Sequence, residues 1–252
     1  MPSLGLGASL GKAGLVTPGI VTSNLVMKHN YVVDSVVPVS DGAAYFNGTS
    51  DYIAIGAKPV DTADATYCFW ALSGTTGDNR AVFSHGSPKV GEFSINHDTT
   101  NQPLLYLNDN LYSYWVDTGF ADDSKWHHWA VVVNVDSMPG CKLYIDGVEI
   151  TQGSVATEDT VTSYGNLEIG RSSSSLEYEG YLCNFGVWAG LLDQAEIKSI
   201  MNKSYAELSS DEKSYKGGLQ AWWNLDVETA TDGTAGSGGV KDSHGSNHGD
   251  LE

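Results

Sequence analysis

The richest chemistry-bearing stretch combines aromatic rings with side-chain amides and a carboxylate: Tyr106, Asn108, Asp109, Asn110, Tyr112, Tyr114 and Trp115. Exposed rings can stack on the apolar face of a sugar while Asn and Asp fix its hydroxyls. Tyr106, Asn108, Asp109, Asn110, Tyr112 and Tyr114 are therefore the candidate glycan contacts. Strand alternation buries one face of 111–116, so part of this cluster must be structural. Trp70 and Trp129 lie in apolar runs and are better explained by packing. Catalytic signals are thinner. His127 and His128 are adjacent, and successive strand residues face opposite ways, so at most one can enter any single site. Glu158-Asp159 and Glu177-Tyr-Glu179 are the nearest approach to paired carboxylates. Gly7-Ala-Ser-Leu-Gly11 matches a nucleophile elbow only in letters, because no strand precedes it and no helix follows. His244 and His248 sit among Gly and Ser with no ligand geometry, which is the pattern of a polar loop.

The elements that must position these residues are short and β-rich. Trp126-His-His-Trp-Ala-Val-Val-Val-Asn-Val135 reads as a core strand. A short loop through Pro139 follows, then two strands joined at Asp146-Gly147. That dipeptide is a strong hairpin signal, because a type I′ turn needs positive φ at both central residues. Ala43–Gly56 holds two strands around Asn47-Gly48. Further short alternating runs cover 66–72, 80–84, 92–96, 104–107 and 111–116, the spacing of an all-β sandwich. One helix is expected over Asp193–Asn202, where Asp193 and Glu196 form a capping box and Ile197, Ile200 and Met201 share a face. Residues 1–40 space Leu among Gly, which gives neither helix nor strand a period. This Gly-rich arm is expected to pack along its own domain or to dock on another subunit, and 41–252 is expected to be one sandwich.

Composition excludes several classes. The 252 residues carry 13 Lys+Arg against 31 Asp+Glu, a net charge of -18. Such a surface repels phosphate, so direct nucleic-acid binding is not expected. No run approaches the ~20 apolar residues of a membrane span, and the N-terminus lacks the form of a signal peptide. The cysteines are Cys68, Cys141 and Cys183, an odd number without C-x-x-C spacing, and are expected to be buried free thiols rather than a zinc site.

The stretch Trp126-His-His-Trp-Ala-Val with Leu143-Tyr-Ile-Asp-Gly147 resembles the core of laminin-G-like jelly-roll domains of the concanavalin-A-like family. So do the opening hairpin Phe46-Asn-Gly with Asp51-Tyr-Ile53 and the closing strands Gly165–Arg171 and Gly180–Trp188. Gly218-Leu-Gln-Ala-Trp-Trp-Asn-Leu-Asp226 with Asp242–Leu251 resembles an element that usually precedes the hairpin. Its place after the helix implies a permuted first-strand element at 218–252, in preference to a duplicated edge piece. The resemblance implies an antiparallel jelly-roll β-sandwich with one short helix. Pentraxins, relatives in this superfamily, bridge two strands by a disulfide; Cys68 resembles one position and Ala130 the other, so that bridge is not expected. Related glycan-cleaving sandwiches carry Glu-x-Asp-x-Glu, and neither carboxylate pair supplies that triplet, so an enzyme is not expected.

The resemblance also implies where calcium could sit. Asp51, Asp78, Asn79 and Asp242 fall in loops where family members gather oxygen ligands, of which calcium takes six to eight. Against this, Asn184 stands where the family usually has an acid. For function, the likeness points to a non-enzymatic accessory protein on the surface of a tailed-phage virion, of head-decoration or tail-fibre type. Its arm would contact other virion proteins in an oligomeric assembly, and its sandwich would bind host polysaccharide. The alternative is a free carbohydrate-binding module that uses calcium.

Overall fold

Two strands explain why the sequence shows unbroken apolar runs. β3 (Ala65–Ser73) and β8 (His127–Val133) are buried along both faces, with only Leu72 of β3 partly open. One face of each packs into the interior of a sandwich and the other lies beneath helices, so neither needs polar alternation. The computed structural model describes residues 37–73, 81–86, 90–97, 102–116, 119–120, 123–157, 159, 161, 163–172, 176–226 and 239–252. The sandwich lies within the unit Pro38–Glu252. Of the expected N-terminal arm, residues 1–36 lie outside the described residues.

The back sheet has seven strands. β3 and β8 lie at its centre with β15 (Glu179–Ala189), β9 (Lys142–Ile145) and β10 (Val148–Glu149) beside them. β1 (Ala44–Asn47) and β16 (Leu219–Trp223) both pair antiparallel with β15, at its first and second halves respectively. The β9–β10 hairpin turns at Asp146 (φ 50) and Gly147 (φ 72), the two positive angles its dipeptide foretells. Cys68 and Ala130 are direct partners across β3 and β8. All three cysteines are free and buried.

The front sheet has ten strands in the order β11-β7-β6-β5-β4-β12-β2-β17, with β13 and β14 beside it. These are β11 (Gln152–Thr157), β7 (Leu111–Trp115), β6 (Gln102–Asn108), β5 (Glu92–His97), β4 (Ala81–Ser84), β12 (Glu168–Ile169), β2 (Ile53–Ile55) and β17 (Gly249–Leu251). β13 is Arg171–Ser172 and β14 is Leu176–Glu177. The two inner faces meet in one core containing Phe46, Phe69, Phe83, Phe93, Trp115, Trp129, Phe185 and Trp223.

Helical segments roof part of the back sheet. α1 (Gln194–Ile200) has the expected box, with Asp193 accepting from the Ala195 and Glu196 amides. The single-helix expectation is corrected, because α2 (Ser210–Lys213) and a 3-10 turn at Tyr205–Glu207 follow it. Both are started by Ser-x-x-Glu capping boxes, Ser204 with Glu207 and Ser209 with Glu212, a signal legible in the sequence. Ile197, Ile200 and Leu208 pack with Trp188 and Trp222 in a second apolar cluster. Trp70 and Trp188 donate their indole N–H to the Met201 and Glu212 carbonyls, so the roof satisfies buried donors as well as burying area.

Asn184 is the hinge point of β15. It sits at a bulge with φ 50, a conformation Asn tolerates better than most residues. Its amide Nδ2 donates to the Val39 carbonyl at 2.9 Å, and its backbone N–H donates to Asn224 O. A carboxylate there could not donate and would face a carbonyl oxygen, which accounts for Asn where the family carries an acid. Asn184→Asp should therefore lose about 1–3 kcal/mol in urea unfolding at pH 7, the cost of an unmade buried hydrogen bond. Asn184→Gly, which keeps the backbone angle, should lose less than Asn184→Asp.

Candidate functional site

Strand register decides which candidate residues share a face. β5 and β6 pair Glu92 with Tyr106 and Ser94 with Leu104, and β6 and β7 pair Leu104 with Tyr114 and Tyr106 with Tyr112. Two rows therefore cross the outer face of the front sheet: Glu92, Tyr106, Tyr112 and Ser94, Leu104, Tyr114. The Tyr112 ring lies 5.5 Å from both Tyr106 and Tyr114, edge-on to each. Tyr112 and Tyr114 are half-buried, whereas Tyr106 is nearly covered at 7% exposure. Burial pushes the Tyr106 phenol up, and its hydrogen bond with Tyr114 and the nearby Glu92 act in the same direction. Asp109 and Asn110 are exposed at the β6–β7 turn, where the Asp109 N–H donates to Asn108 Oδ1 at 2.6 Å. Trp115 points the other way and is fully buried in the core.

The sequence reading missed what lies beside the tyrosines. Glu92, Ser94 and Asn96 alternate along β5 with Phe93 and Ile95, which face the core. The three polar residues are nonetheless 3%, 1% and 0% exposed. Glu92 accepts a hydrogen bond from Ser172 Oγ at 2.8 Å. Ser94 Oγ and both polar atoms of Asn96 have no hydrogen-bond partner among the described residues. An Asn amide offers a donor and an acceptor side by side, the pattern that two neighbouring hydroxyls complement. The E-x-S-x-N alternation was visible, but only the register places it against the tyrosine strand.

The expected calcium residues fare differently. Asp242 is 2% exposed and accepts from the backbone N–H groups of Trp222, His244 and Asn247 and from the Asn247 amide. These donors, with Gly245, hold its carboxyl below the usual range despite burial. Asp242 thus organises its loop by accepting from these donors. Asp51 Oδ1 accepts from Asn47 Nδ2 at 2.8 Å and from Ser50 Oγ at 3.1 Å. Asp78 and Asn79 lie outside the described residues. Among the described residues no three His, Cys, Asp or Glu side chains are grouped to hold a metal.

The two histidines do face opposite ways. His128 stacks edge-on to Trp70 with centroids 5.6 Å apart. His127 lies between Asp146, 2.7 Å from Nδ1, and Asp123, 3.1 Å from Nε2. Both ring nitrogens thus face acceptors, the arrangement an imidazolium satisfies by donating twice, with no lone pair left for a substrate. Burial pulls the His127 pKa down, but the hydrogen bonds to Asp146 and Asp123 outweigh it and leave it raised. His85 is buried against Tyr164 and donates through Nδ1 to the Gly165 carbonyl, so Nε2 accepts from Tyr67 Oη at 2.8 Å.

The chain belongs to the concanavalin A-like lectin/glucanase superfamily, whose model matches residues 47–198. Among solved structures it is similar to a candidate carbohydrate binding protein from Bacteroides ovatus ATCC 8483, with 16% identity and a TM-score of 0.60. That match covers 83% of this chain and 57% of the other, so the chain spans little more than half of that relative. It is also similar to the native heptameric SAP-like pentraxin from Limulus polyphemus, with 14% identity, 69% and 92% coverage and a TM-score of 0.44. The CBM40 of the Ruminococcus gnavus IT-sialidase matches with 10% identity, 64% and 97% coverage and a TM-score of 0.48. A search of curated proteins gives no match. No helix among the described residues is long and apolar enough to cross a membrane.

The histidines give a pH test with two signs. Burial lowers His85 and His128 to about 4. In the unfolded chain they titrate near about 6.5, so their contribution is complete above that pH and is lost as pH falls toward 4. His127 is raised, so its contribution is complete below about 6.5 and is lost as pH rises through its folded value. In urea unfolding from pH 5 to 8, His127→Gln should lose most stability at the acid end, with the gap closing upward. His128→Gln should flatten the acid-side fall.

Proposed function

We propose that this chain is a non-catalytic, lectin-like carbohydrate-binding domain that holds glycan on the outer face of the front sheet. The observation that carries the reading is the pair Tyr112 and Tyr114, half-buried on one face with rings 5.5 Å apart, beside the exposed turn residues Asp109 and Asn110. Ring faces suit the apolar side of a pyranose. Side-chain amides and carboxylates at the exposed turn can pair with the hydroxyls of the same sugar. Tyr112, Tyr114 and the turn residues Asn108, Asp109 and Asn110 form the reachable part of the site, with Ser94 and Asn96 below. The non-catalytic reading is supported by His127, whose two nitrogens are both committed to carboxylates.

In this proposal the domain acts as an accessory protein at a virion surface, with residues 1–40 contacting other virion proteins and the sandwich gripping host polysaccharide. Support for that setting is the Gly-rich composition of the arm. Calcium, if used, would be held by Asp51 with Asp78 and Asn79.

A glycan array probed with the full chain, in calcium and in EDTA, tests the reading. Tyr112→Ala with Tyr114→Ala should weaken binding to the best glycan at least tenfold, or about 1.4 kcal/mol. Asn96→Leu, which removes both buried polar atoms at similar volume, should stabilise the fold in urea unfolding. Unchanged binding in the double tyrosine variant, or no glycan bound by the full chain, overturns the site. EDTA lowers binding only if the calcium assignment holds.

A further inference from the structure

The helical roof covers only part of the back sheet, and an aromatic row lies open beyond its edge at Trp70. Tyr45 on β1 and Tyr181 on β15 are register partners with ring centroids 5.0 Å apart. They are 52% and 41% exposed, and neither belongs to an apolar core cluster. Trp126, the residue before β8, sets its ring 6.4 Å from Tyr181 and is itself partly exposed. Leu72, across from Tyr181 on β3, is also partly exposed. Burial in the core explains large aromatics such as Trp70, Trp129 and Trp188, but not this row.

We propose that Tyr45, Tyr181 and Trp126 form a second carbohydrate-binding surface, on the side of the sandwich opposite the tyrosine face of the front sheet, that stacks the sugar rings of a neutral polysaccharide. Area argues against a protein partner. An aromatic side chain buries about 150–250 Å² when wholly covered, so three rings already partly covered present a few hundred Å² at most. A stable protein interface needs about 800 Å² from each partner. A polysaccharide needs only ring faces in succession, and rings at 5.0 and 6.4 Å let neighbouring sugars of one chain each meet one. The tilts of 48° and 54° between them suit a twisted chain rather than a flat crystalline surface.

Charge selects the class of sugar. Lys125, next to Trp126 in the chain, is shared with Asp123 at 3.9 Å, and the protein carries a net charge of -18. Uronic and sialic acids would meet repulsion there without a dedicated cation, whereas neutral hexoses would not. The surface stands on back-sheet residues alone and does not depend on the front-sheet site. If both bind, one polymer can engage opposite faces of neighbouring molecules and gain avidity without any new contact.

Native electrophoresis of the full chain through gels cast with glucomannan, galactomannan or hydroxyethylcellulose tests this, with polygalacturonate as the acidic control. Retardation is expected in at least one neutral gel and not in polygalacturonate. Tyr45→Ala with Tyr181→Ala should reduce it at least fivefold, Tyr45→Phe with Tyr181→Phe should preserve it, and Tyr112→Ala with Tyr114→Ala should leave part of it. Tyr45→Ala alone, at the more exposed position, gives a smaller loss in the same direction and serves if the double variant misfolds. Undiminished retardation of the Tyr45 and Tyr181 alanine variants overturns the proposal, as does no retardation in any neutral gel. So does stronger retardation by polygalacturonate, or a full-length mass in light scattering that falls to monomer in the double variant. Loss confined to the Tyr112 and Tyr114 variant overturns this surface and keeps the front-sheet site; loss confined to the Tyr45 and Tyr181 variant does the reverse.

Discussion

Burial of the back sheet on both faces is the constraint from which the remaining architecture follows. Once Val131 and Val133 face the sandwich interior and Ala130 and Val132 face outward, the outward set must be covered. The chain does this with α1, the turn at Tyr205–Glu207 and α2, all within the segment linking β15 to β16. The cover is not only apolar. Because Trp70 and Trp188 donate to carbonyls in that segment, its position is fixed by directional bonds as well as by area. An indole N–H left unpaired under an apolar roof would cost about as much as burying a methylene group stabilises.

The edge of the same sheet is completed by two separate pieces of chain. β1 lies against the first half of β15 and β16 against the second, with the Asn184 bulge between them. The bulge breaks the ladder at the point where the edge changes from one piece to the other. Asn184 then ties both pieces down, donating to Val39 ahead of β1 and to Asn224 after β16. Asp242 performs a similar task one step further along, gathering backbone N–H groups of its own loop and of Trp222, so that β17 can reach β2. A single residue of the right acceptor or donor type substitutes in both places for a longer run of strand pairing.

Most of the fold was legible because its signals are local. Asp146-Gly147 dictates a turn from two dihedral angles, Asp193 and Glu196 cap a helix within four residues, and the valines of β8 are a contiguous run. β11 and α2 were not read, although Ser209-x-x-Glu212 carries the same capping logic as Asp193-x-x-Glu196 in a segment with little apolar period. The candidate site was only half legible for a different reason. Tyr106, Tyr112 and Tyr114 are close in sequence because one hairpin brings them together. Glu92 and Ser94 join them through the β5–β6 register, and a one-residue slip would have turned both toward the core. The loop-organising role of Asp242 was not legible either, because its donors come from Trp222 as well as from its own loop.

Both sheets tolerate some polar cost: on the back sheet Ser73 Oγ and His128 Nδ1 are buried without a hydrogen-bond partner among the described residues. The back sheet satisfies the buried indoles of Trp70 and Trp188 with carbonyls of the helical segment. The front sheet leaves Ser94 and Asn96 without a partner among the described residues although both are buried. Replacing Asn96 by an apolar residue of similar size would remove that cost, so its amide is not explained by stability. In the proposed reading that cost lies beneath the ligand face, whose accessible rings are Tyr112 and Tyr114. The same reasoning applies with the opposite sign to Tyr45 and Tyr181. There the unfavourable feature is apolar surface left in water, and a ring-stacking ligand would relieve it.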